Sequence, residues 1–419
     1  MINIVIPNNN INERRYILSI IFDEFLGLSF NITESINCQD WIITLQNKKT
    51  ITIKDTFFNK YPNDLSYLNF DNIPNKIEDL DIFSASFFML TRWEEYVNKN
   101  RDNHDRFPAY ESLAFKQGFL DKPVVNEYIE KLKDNLLRID PSLQFKQHKY
   151  QIYLTHDVDT PLKYNSLKGR MREIIGDIVK RKNLLFAIKN ILSQVKVFLS
   201  LKKDPFNTFD YLMDTSDMLG VKSYFFFMGK GSSNLDENYN LKSNFIRNLV
   251  KRIESRGHFV GMHSTYNSHN NPTQFKNEKM ELTRDIGSNI SFGRGHYLRF
   301  EVPTTWQVWE DGDMEWDSTL SYADRSGFRC GVCYKFSVFN ILTRKKLNLK
   351  ERPLIVMDDS FATYQHDITP SAMKDAIVSL RKEVEKYNGE FVFLWHNNSF
   401  NTIKWKKYQD VYRGVLGLD

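Results

Sequence analysis

The sequence predicts an α/β protein: a small α+β unit followed by a β/α barrel or a related doubly wound sheet. From residue 150 onwards, continuous apolar runs alternate with helical patterns, which is typical of a parallel sheet covered on both faces. Polar, potentially catalytic side chains follow several of these runs, and in such folds the chemistry lies at the carboxyl ends of the strands. The polar, turn-rich stretch 140–148 predicts the boundary between the two units.

Composition excludes few classes of function. The chain has 419 residues, of which 41% are hydrophobic and 26% charged, and a net charge of +5. This charge is too small to favour nucleic acid as the partner. No apolar segment approaches the roughly 20 residues of a membrane span, and the amino terminus lacks the pattern of a signal peptide, so we expect a cytoplasmic protein. The pair Cys330 and Cys333 is expected to be reduced and buried.

The first unit, residues 1–148, shows the alternation of an α+β domain. Residues 41–45 and 50–53 flank a turn-like tetrapeptide and predict a hairpin. A strand is predicted over residues 2–6, and helices over 13–26, 81–98 and 124–137. No catalytic constellation stands out in this unit, so its role stays open.

A basic helical stretch, residues 165–203, interrupts the second unit. It combines many Lys and Arg residues with Ile, Leu, Val and Phe. One interpretation is peripheral contact with anionic lipid. The other is a solvated helical excursion that covers the domain.

Two aspartates close the first apolar run of the second unit. Asp157 and Asp159 follow residues 150–154, and side chains two apart in a strand share one face. Two carboxylates at one place repel each other unless a cation or a proton lies between them. The pattern indicates either a metal or acid/base site, or a capping cluster at a strand end.

Later strand ends carry further polar residues. His263 and His269 follow one apolar run, the segment GHYLRF contains Arg299, and His396 ends the last run. Imidazole and carboxylate together suit zinc or a similar divalent ion. A histidine can also protonate a leaving group at neutral pH. These residue types are the parts of a metal-assisted hydrolase.

The order of the motifs THDVD, GMHSTYNSH, GHYLRF and LWHN resembles the polysaccharide deacetylases of the NodB-homology type, also called carbohydrate esterase family four. The resemblance covers residues 150–400 approximately and implies a deformed β/α barrel for residues 149–419. The first unit is similar to the amino-terminal domain of uncharacterised bacterial deacetylase-like proteins, in DLDIFSASFFMLTRWEEY and RFPAYESLAFKQGFLDKPVV.

The resemblance implies a role for each matching residue. Asp157 corresponds to the general base, Asp159 to the metal carboxylate and His263 to the first metal histidine. Asn267 stands where the family has its second metal histidine, and His269 follows two residues later. Three alternatives are open: a bulged loop brings His269 to the metal, Asn267 is a weak oxygen ligand or substrate contact, or the metal site is degenerate.

The motifs LWHN and GHYLRF correspond to two further residues of the family's reaction. His396 corresponds to the general acid, and Arg299 to the arginine that pairs with the base. Asp358 ends another apolar run, where it either orients His396 or caps a turn.

The segment 317–329 has two interpretations. Tyr322 can stack on a sugar ring while Asp324 or Arg329 binds hydroxyl groups, or all three belong to a hydrogen-bonded loop.

The resemblance implies a metal-dependent hydrolase, with zinc as the expected metal, that removes an acetyl group from an amino sugar or a saccharide precursor. The alternative is a carbohydrate-binding or regulatory protein that kept the barrel and lost the metal. A third, weaker hypothesis is a hydrolase of a non-sugar amide such as a ureide.

Overall fold

The computed structural model describes residues 1–164, 184–199, 201–231, 233–365, 367–402 and 404–418. The described strands form two sheets, one of four strands and one of nine. Residues 165–183, the first part of the basic stretch, lie outside the described residues.

The amino-terminal sheet has the order β2-β1-β3-β4. Strands β1 and β2 are parallel, and β3 pairs antiparallel with both β1 and β4. The predicted hairpin is therefore confirmed as β3–β4. The bounds are β1 Ile2–Pro7, β2 Phe30–Ser35, β3 Trp41–Thr44 and β4 Thr50–Ile53.

Five α-helices accompany this sheet among the described residues: Ile11–Leu18, Ile82–Thr91, Trp93–Val97, Leu113–Lys116 and Val124–Ile139. The first continues as a π-helical segment, Ser19–Phe25. The predicted helix 81–98 is broken at Arg92, whose φ of 53° is left-handed. Asp81 begins this helix by accepting hydrogen bonds from the backbone N–H groups of Phe83 and Ser84.

The large sheet is curled into a half-barrel, consistent with a deformed β/α barrel. Its order is β12-β13-β5-β6-β7-β8-β9-β11-β10, and every neighbouring pair is parallel except β10–β11. The bounds are β5 Gln151–Val158, β6 Ser223–Met228, β7 Phe259–Ser264, β8 Phe292–Gly295, β9 Trp316–Asp317, β10 Phe336–Asn340, β11 Lys345–Glu351, β12 Val356–Met357 and β13 Glu390–Leu394.

Helices connect these strands: Phe209–Met218, Asn244–Ser255, Pro272–Ile286, Thr304–Asp311, Asp358–Ala362 and Pro370–Lys386, with Val411–Leu416 near the end. Their ends follow local chemistry. Asn271 caps the helix that starts at Pro272, and Gly287, with a φ of 82°, ends it. The central strands are buried on both faces, which explains their unbroken apolar runs.

The two units share one continuous hydrophobic core. The amino-terminal unit covers the edge strand β10: the hydroxyl of Tyr16 donates to the Ser337 carbonyl at 3.0 Å, and its ring lies 4.7 Å from that of Phe339. Covering an edge strand prevents its unpaired backbone groups from pairing with another chain. All three cysteines are free and buried.

The helix Leu184–Phe198 is the described part of the basic stretch. Several apolar side chains on it are exposed, including Ile191, Leu192, Val195 and Phe198. No described helix is both long enough and apolar enough to cross a bilayer. Peripheral contact with lipid stays a prediction.

Candidate metal centre

A cavity of about 270 Å³ lies at the carboxyl ends of β5, β7, β8, β12 and β13. The parallel arrangement brings these ends together, although the strands are far apart in the sequence. The sequence-predicted residues Asp157, Asp159, His263 and His396 all line this cavity. His296, which follows β8, joins them.

Three imidazoles converge on one carboxylate. The Nε2 atom of His263 lies 3.1 Å from Oδ1 of Asp159, and Nε2 of His296 lies 3.9 Å from the same oxygen. The Nε2 atom of His396 lies 3.6 Å from Oδ2. The same atom of each ring therefore faces Asp159.

The opposite nitrogen fixes the orientation of two of these rings. Nδ1 of His263 lies 2.9 Å from the Arg294 carbonyl oxygen, and Nδ1 of His296 lies 2.9 Å from Oδ1 of Asp236. Both partners accept a hydrogen bond, so Nδ1 carries the proton and Nε2 presents its lone pair to Asp159. Partners of this kind commonly orient metal-binding histidines.

The electrostatics around Asp159 favour a positive charge between its carboxylate and the surrounding histidine rings. Burial raises the pKa of Asp159, but His263, His296 and His396 outweigh burial and hold that pKa below its usual range. Burial lowers the pKa of His263, whereas Asp157 and Asp159 raise it, and the net pKa lies above the usual value. A proton or a metal cation satisfies this requirement.

The donor set fits a divalent metal. The ligand atoms of Asp159, His263 and His296 all lie within 4.8 Å of one another. Oδ1 of Asp159 is buried and accepts no hydrogen bond from the described residues, although His263 Nε2 is close. A buried acceptor surrounded by lone pairs is unfavourable unless a cation joins them. One carboxylate and two imidazoles are a common set of three protein ligands for zinc.

Asp157 is paired with a buried arginine that sequence reasoning missed. Nη1 of Arg294 donates to Oδ1 of Asp157 at 2.8 Å and to the Thr155 hydroxyl at 3.1 Å. The other donors of the guanidinium reach the carbonyl and hydroxyl oxygens of Ser318. Glycine at 293 allows β8 to lie close to β7, since a Cβ there would overlap the backbone of Met262. The guanidinium thus balances the charge of a carboxylate that is 3% exposed.

His396 is oriented by Asp358. Nδ1 of His396 lies 2.7 Å from Oδ1 of Asp358, and its backbone N–H donates to Oδ2 at 2.9 Å. Burial lowers the pKa of His396, but the neighbouring carboxylates, Asp358 first, raise it well above its usual value. The Asp358 carboxylate therefore favours the imidazolium form of His396, and its Nε2 faces the cavity.

His269 and Arg299 were predicted for this site, but the structure places both outside the cavity lining. His269 is buried, with a pKa lowered to about 4 by desolvation and by Arg299. Arg299 donates to the carbonyl oxygens of His104 and Tyr266. Beside Asp159 the structure places His296 instead, and the arginine paired with Asp157 is Arg294.

The predicted sugar-binding residues are also elsewhere. Tyr322 and Arg329 are buried against the amino-terminal unit, where Arg329 forms an ion pair with Glu95 at 2.5 Å. Asp324 accepts a hydrogen bond from the Ala109 backbone at 3.3 Å. Asn267 is exposed and does not line the cavity. The tyrosines that do line it are Tyr297 and Tyr364.

The backbone directly after His296 is strained. Tyr297 and Leu298 both have left-handed backbones, with φ of 61° and 55°, directly after His296. Such conformations cost energy in residues other than glycine and cluster at functional sites. No sequence spacing signals this turn or the position of Asp236. The remaining signal was His296 itself, within the segment GHYLRF.

The comparisons with known proteins add the following. A family of unknown function, DUF7033, matches residues 2–141. No curated protein sequence matches the chain. Among solved structures, a polysaccharide deacetylase candidate from Mycobacterium smegmatis is similar, with 12% identity and a TM-score of 0.41 over 66% of this chain and 85% of its own. A family 4 carbohydrate esterase from Streptomyces lividans, in complex with acetate, shows 12% identity and a TM-score of 0.30 over 65% and 90%.

Proposed function

We propose that the protein is a metal-dependent hydrolase that removes an acetyl group from an amino sugar. The observation that carries this proposal is the convergence of three histidine Nε2 atoms on Asp159, beside a second carboxylate paired with arginine. The order of the sequence motifs, which resembles that of polysaccharide deacetylases, supports the choice of substrate class.

Asp159, His263 and His296 would hold the metal, and zinc suits these donors. When bound, such an ion acts as a Lewis acid that polarises a carbonyl group and lowers the pKa of water. The pairing of Nδ1 with fixed acceptors leaves Nε2 of each histidine available to the ion.

Asp157 would act as the general base. Arg294 holds Oδ1 in place at 2.8 Å, and this leaves Oδ2 to take a proton from the attacking water. Because the carboxylate is fixed by packing and by the guanidinium, it needs no reorganisation when the proton moves.

His396 would act as the general acid. The Asp358 carboxylate favours its imidazolium form, and Nε2 faces the cavity, so this proton can pass to the departing amine nitrogen. Loss of that proton leaves a neutral imidazole that water can recharge.

Tyr297 and Tyr364 would contact the sugar. Both line the cavity beside the catalytic groups. Aromatic side chains offer an apolar face to a ring and a hydroxyl group to its substituents.

Acetate release by the zinc-loaded protein from N-acetylated sugars tests the proposal. Asp157→Asn and His396→Ala are each expected to lower kcat by about 10²–10⁴-fold, the usual contribution of a general base or acid. Asp134→Asn, an exposed carboxylate on the helix Val124–Ile139, is the matched control and should keep full activity. Circular dichroism would establish that each variant is folded.

Full activity in both Asp157→Asn and His396→Ala would contradict the proposal. Saccharide binding without turnover by the zinc-loaded wild-type protein would instead favour the alternative of a non-catalytic binding protein.

A further inference from the structure

The amino-terminal unit contributes to the candidate site. Arg106, in the loop formed by residues 98–108, lines the same cavity as Asp159 and His396. Its guanidinium is paired with Asp102 at 2.7 Å, and the residue is 6% exposed. The cavity is thus built from both units of the chain.

Arg106 links two segments that follow different strands of the curled sheet. Nη1 donates to the Tyr297 carbonyl oxygen at 3.0 Å, and Nη2 donates to the Tyr364 hydroxyl at 2.9 Å. Tyr297 follows β8, whereas Tyr364 lies beyond β12. Strands β13, β5, β6 and β7 separate β8 from β12 in the sheet order, so these tyrosines are joined by the loop and not by sheet pairing.

The 98–108 loop is an ordered wall. The Asp102 carboxylate accepts hydrogen bonds from the backbone N–H groups of His104 at 2.8 Å and Arg106 at 3.0 Å. Arg101 donates to the carbonyl oxygens of Glu95 and Asn98. These bonds fix the shape of the loop on the side of the amino-terminal unit.

Residues of the barrel contact the same loop from the other side. Arg299 donates to the His104 carbonyl oxygen at 2.9 Å, and the His104 ring lies 4.6 Å from that of Tyr297. The role of Arg299 in the structure is therefore to hold the wall and not to pair with Asp157.

We propose that this wall restricts the site to a single sugar or to the terminal sugar of a chain. An internal residue of a polymer needs an exit for the chain on both sides, and the 98–108 loop occupies one side. The cavity volume of about 270 Å³ is slightly below the range of roughly 300–1,000 Å³ that is usual for small-molecule sites. This inference rests on the proposed deacetylase function and names its substrate class.

The test uses the zinc-loaded full chain with a linear pentamer of N-acetylglucosamine, and mass spectrometry to locate the acetyl groups removed. Wild-type protein is expected to deacetylate a terminal residue at least about ten times faster than the internal ones. Arg106→Ala, combined with His104→Ala, is expected to raise the internal share about tenfold. Arg15→Ala, which breaks an exposed ion pair with Glu34 in the same unit, is the matched control and should keep the wild-type pattern.

Equal deacetylation of internal and terminal residues by the wild-type protein would overturn the inference and leave the proposed function intact. A wild-type pattern in the double variant would overturn it as well. If no acetyl group is released at all, the proposed function fails, and saturation-transfer NMR of the bound pentamer decides the inference separately. Contacts confined to a terminal sugar support it; contacts along the chain, or no binding, contradict it.

Discussion

Two clusters of buried charged side chains, one at the contact between the two units and one around Asp159, differ in how their polar atoms are used. At the contact between the two units, each guanidinium meets acceptors: Arg329 binds both oxygens of Glu95, and Arg92 donates to Glu95 and to Tyr322. At the mouth of the half-barrel, by contrast, histidine lone pairs face a carboxylate oxygen that accepts no hydrogen bond from the described residues.

The difference separates a structural cluster from a binding site. Burial raises the pKa of Glu95, but Arg329 and Arg92 outweigh it and lower that pKa to about 2, so the carboxylate is charged and fully paired. The Glu95 carboxylate therefore requires no additional partner. The cluster around Asp159 is complete only with an added positive charge. Buried charged side chains alone therefore do not indicate a binding site. Buried polar atoms that lack a partner within the protein do indicate one.

The largest effect is expected at the contact between the units. Arg329→Met should lower the free energy of unfolding by about 3–5 kcal/mol, because it leaves Glu95 buried with one of its two cations missing. Denaturant titration measures this change. Arg15→Met removes an exposed ion pair and should cost at most about 1 kcal/mol. A loss as small as that in Arg329→Met would show that the contact cluster is not a tightly paired structural element.

Much of the architecture was predictable because it follows from periodicity. The unbroken apolar runs predicted the parallel strands. The polar residues that close these runs, such as His263 and His396, lie at the carboxyl ends of the strands, as expected. The hairpin β3–β4 followed from its turn. These are local signals, and local signals are what a single sequence carries best.

The remaining parts depend on tertiary geometry. His296 precedes a left-handed turn, Asp236 lies in a loop after β6, and Arg106 comes from the other unit, so no spacing links them to Asp159. Tyr322 and Arg329 carry suitable chemistry for a sugar pocket, but their partners, Arg92 and Glu95, lie far away in the sequence. Only packing reveals which polar groups are already satisfied.

A smaller effect is expected from the carboxylate behind His296. Asp236→Asn should weaken zinc binding by about 10–100-fold, because Asp236 orients the imidazole through Nδ1. Competition with a chromophoric chelator measures the Kd. Asp217→Asn, at a surface ion pair with Arg256, is the control and should leave the Kd unchanged. An unaltered Kd for Asp236→Asn would mean that the ring is positioned by packing alone.

The smallest effect concerns His156, which adjoins Asp157 but points to the opposite face of β5. Nδ1 of His156 lies 2.7 Å from the Trp395 carbonyl oxygen and Nε2 lies 3.2 Å from the Ser223 hydroxyl, so both nitrogens are satisfied. Burial lowers its pKa from 6.5 to about 3. The stability that a neutral His156 contributes is therefore full above pH 6.5 and declines as the pH falls towards 3.

This linkage predicts a loss of about 1 kcal/mol of unfolding free energy between pH 6.5 and 5.5 that is absent in His156→Gln. The measurement is denaturant unfolding at both pH values. An identical pH dependence in the variant would contradict the account of His156 as a satisfied, neutral structural residue.

The central claim is that Asp159, His263 and His296 form a metal site, and elemental analysis after zinc loading and desalting tests it most directly. The account predicts about one equivalent of zinc in the wild-type protein and in His269→Ala, and less than about a tenth of that in His263→Ala and His296→Ala. Zinc-free wild-type protein, or a site that survives His296→Ala and is lost in His269→Ala, would contradict it.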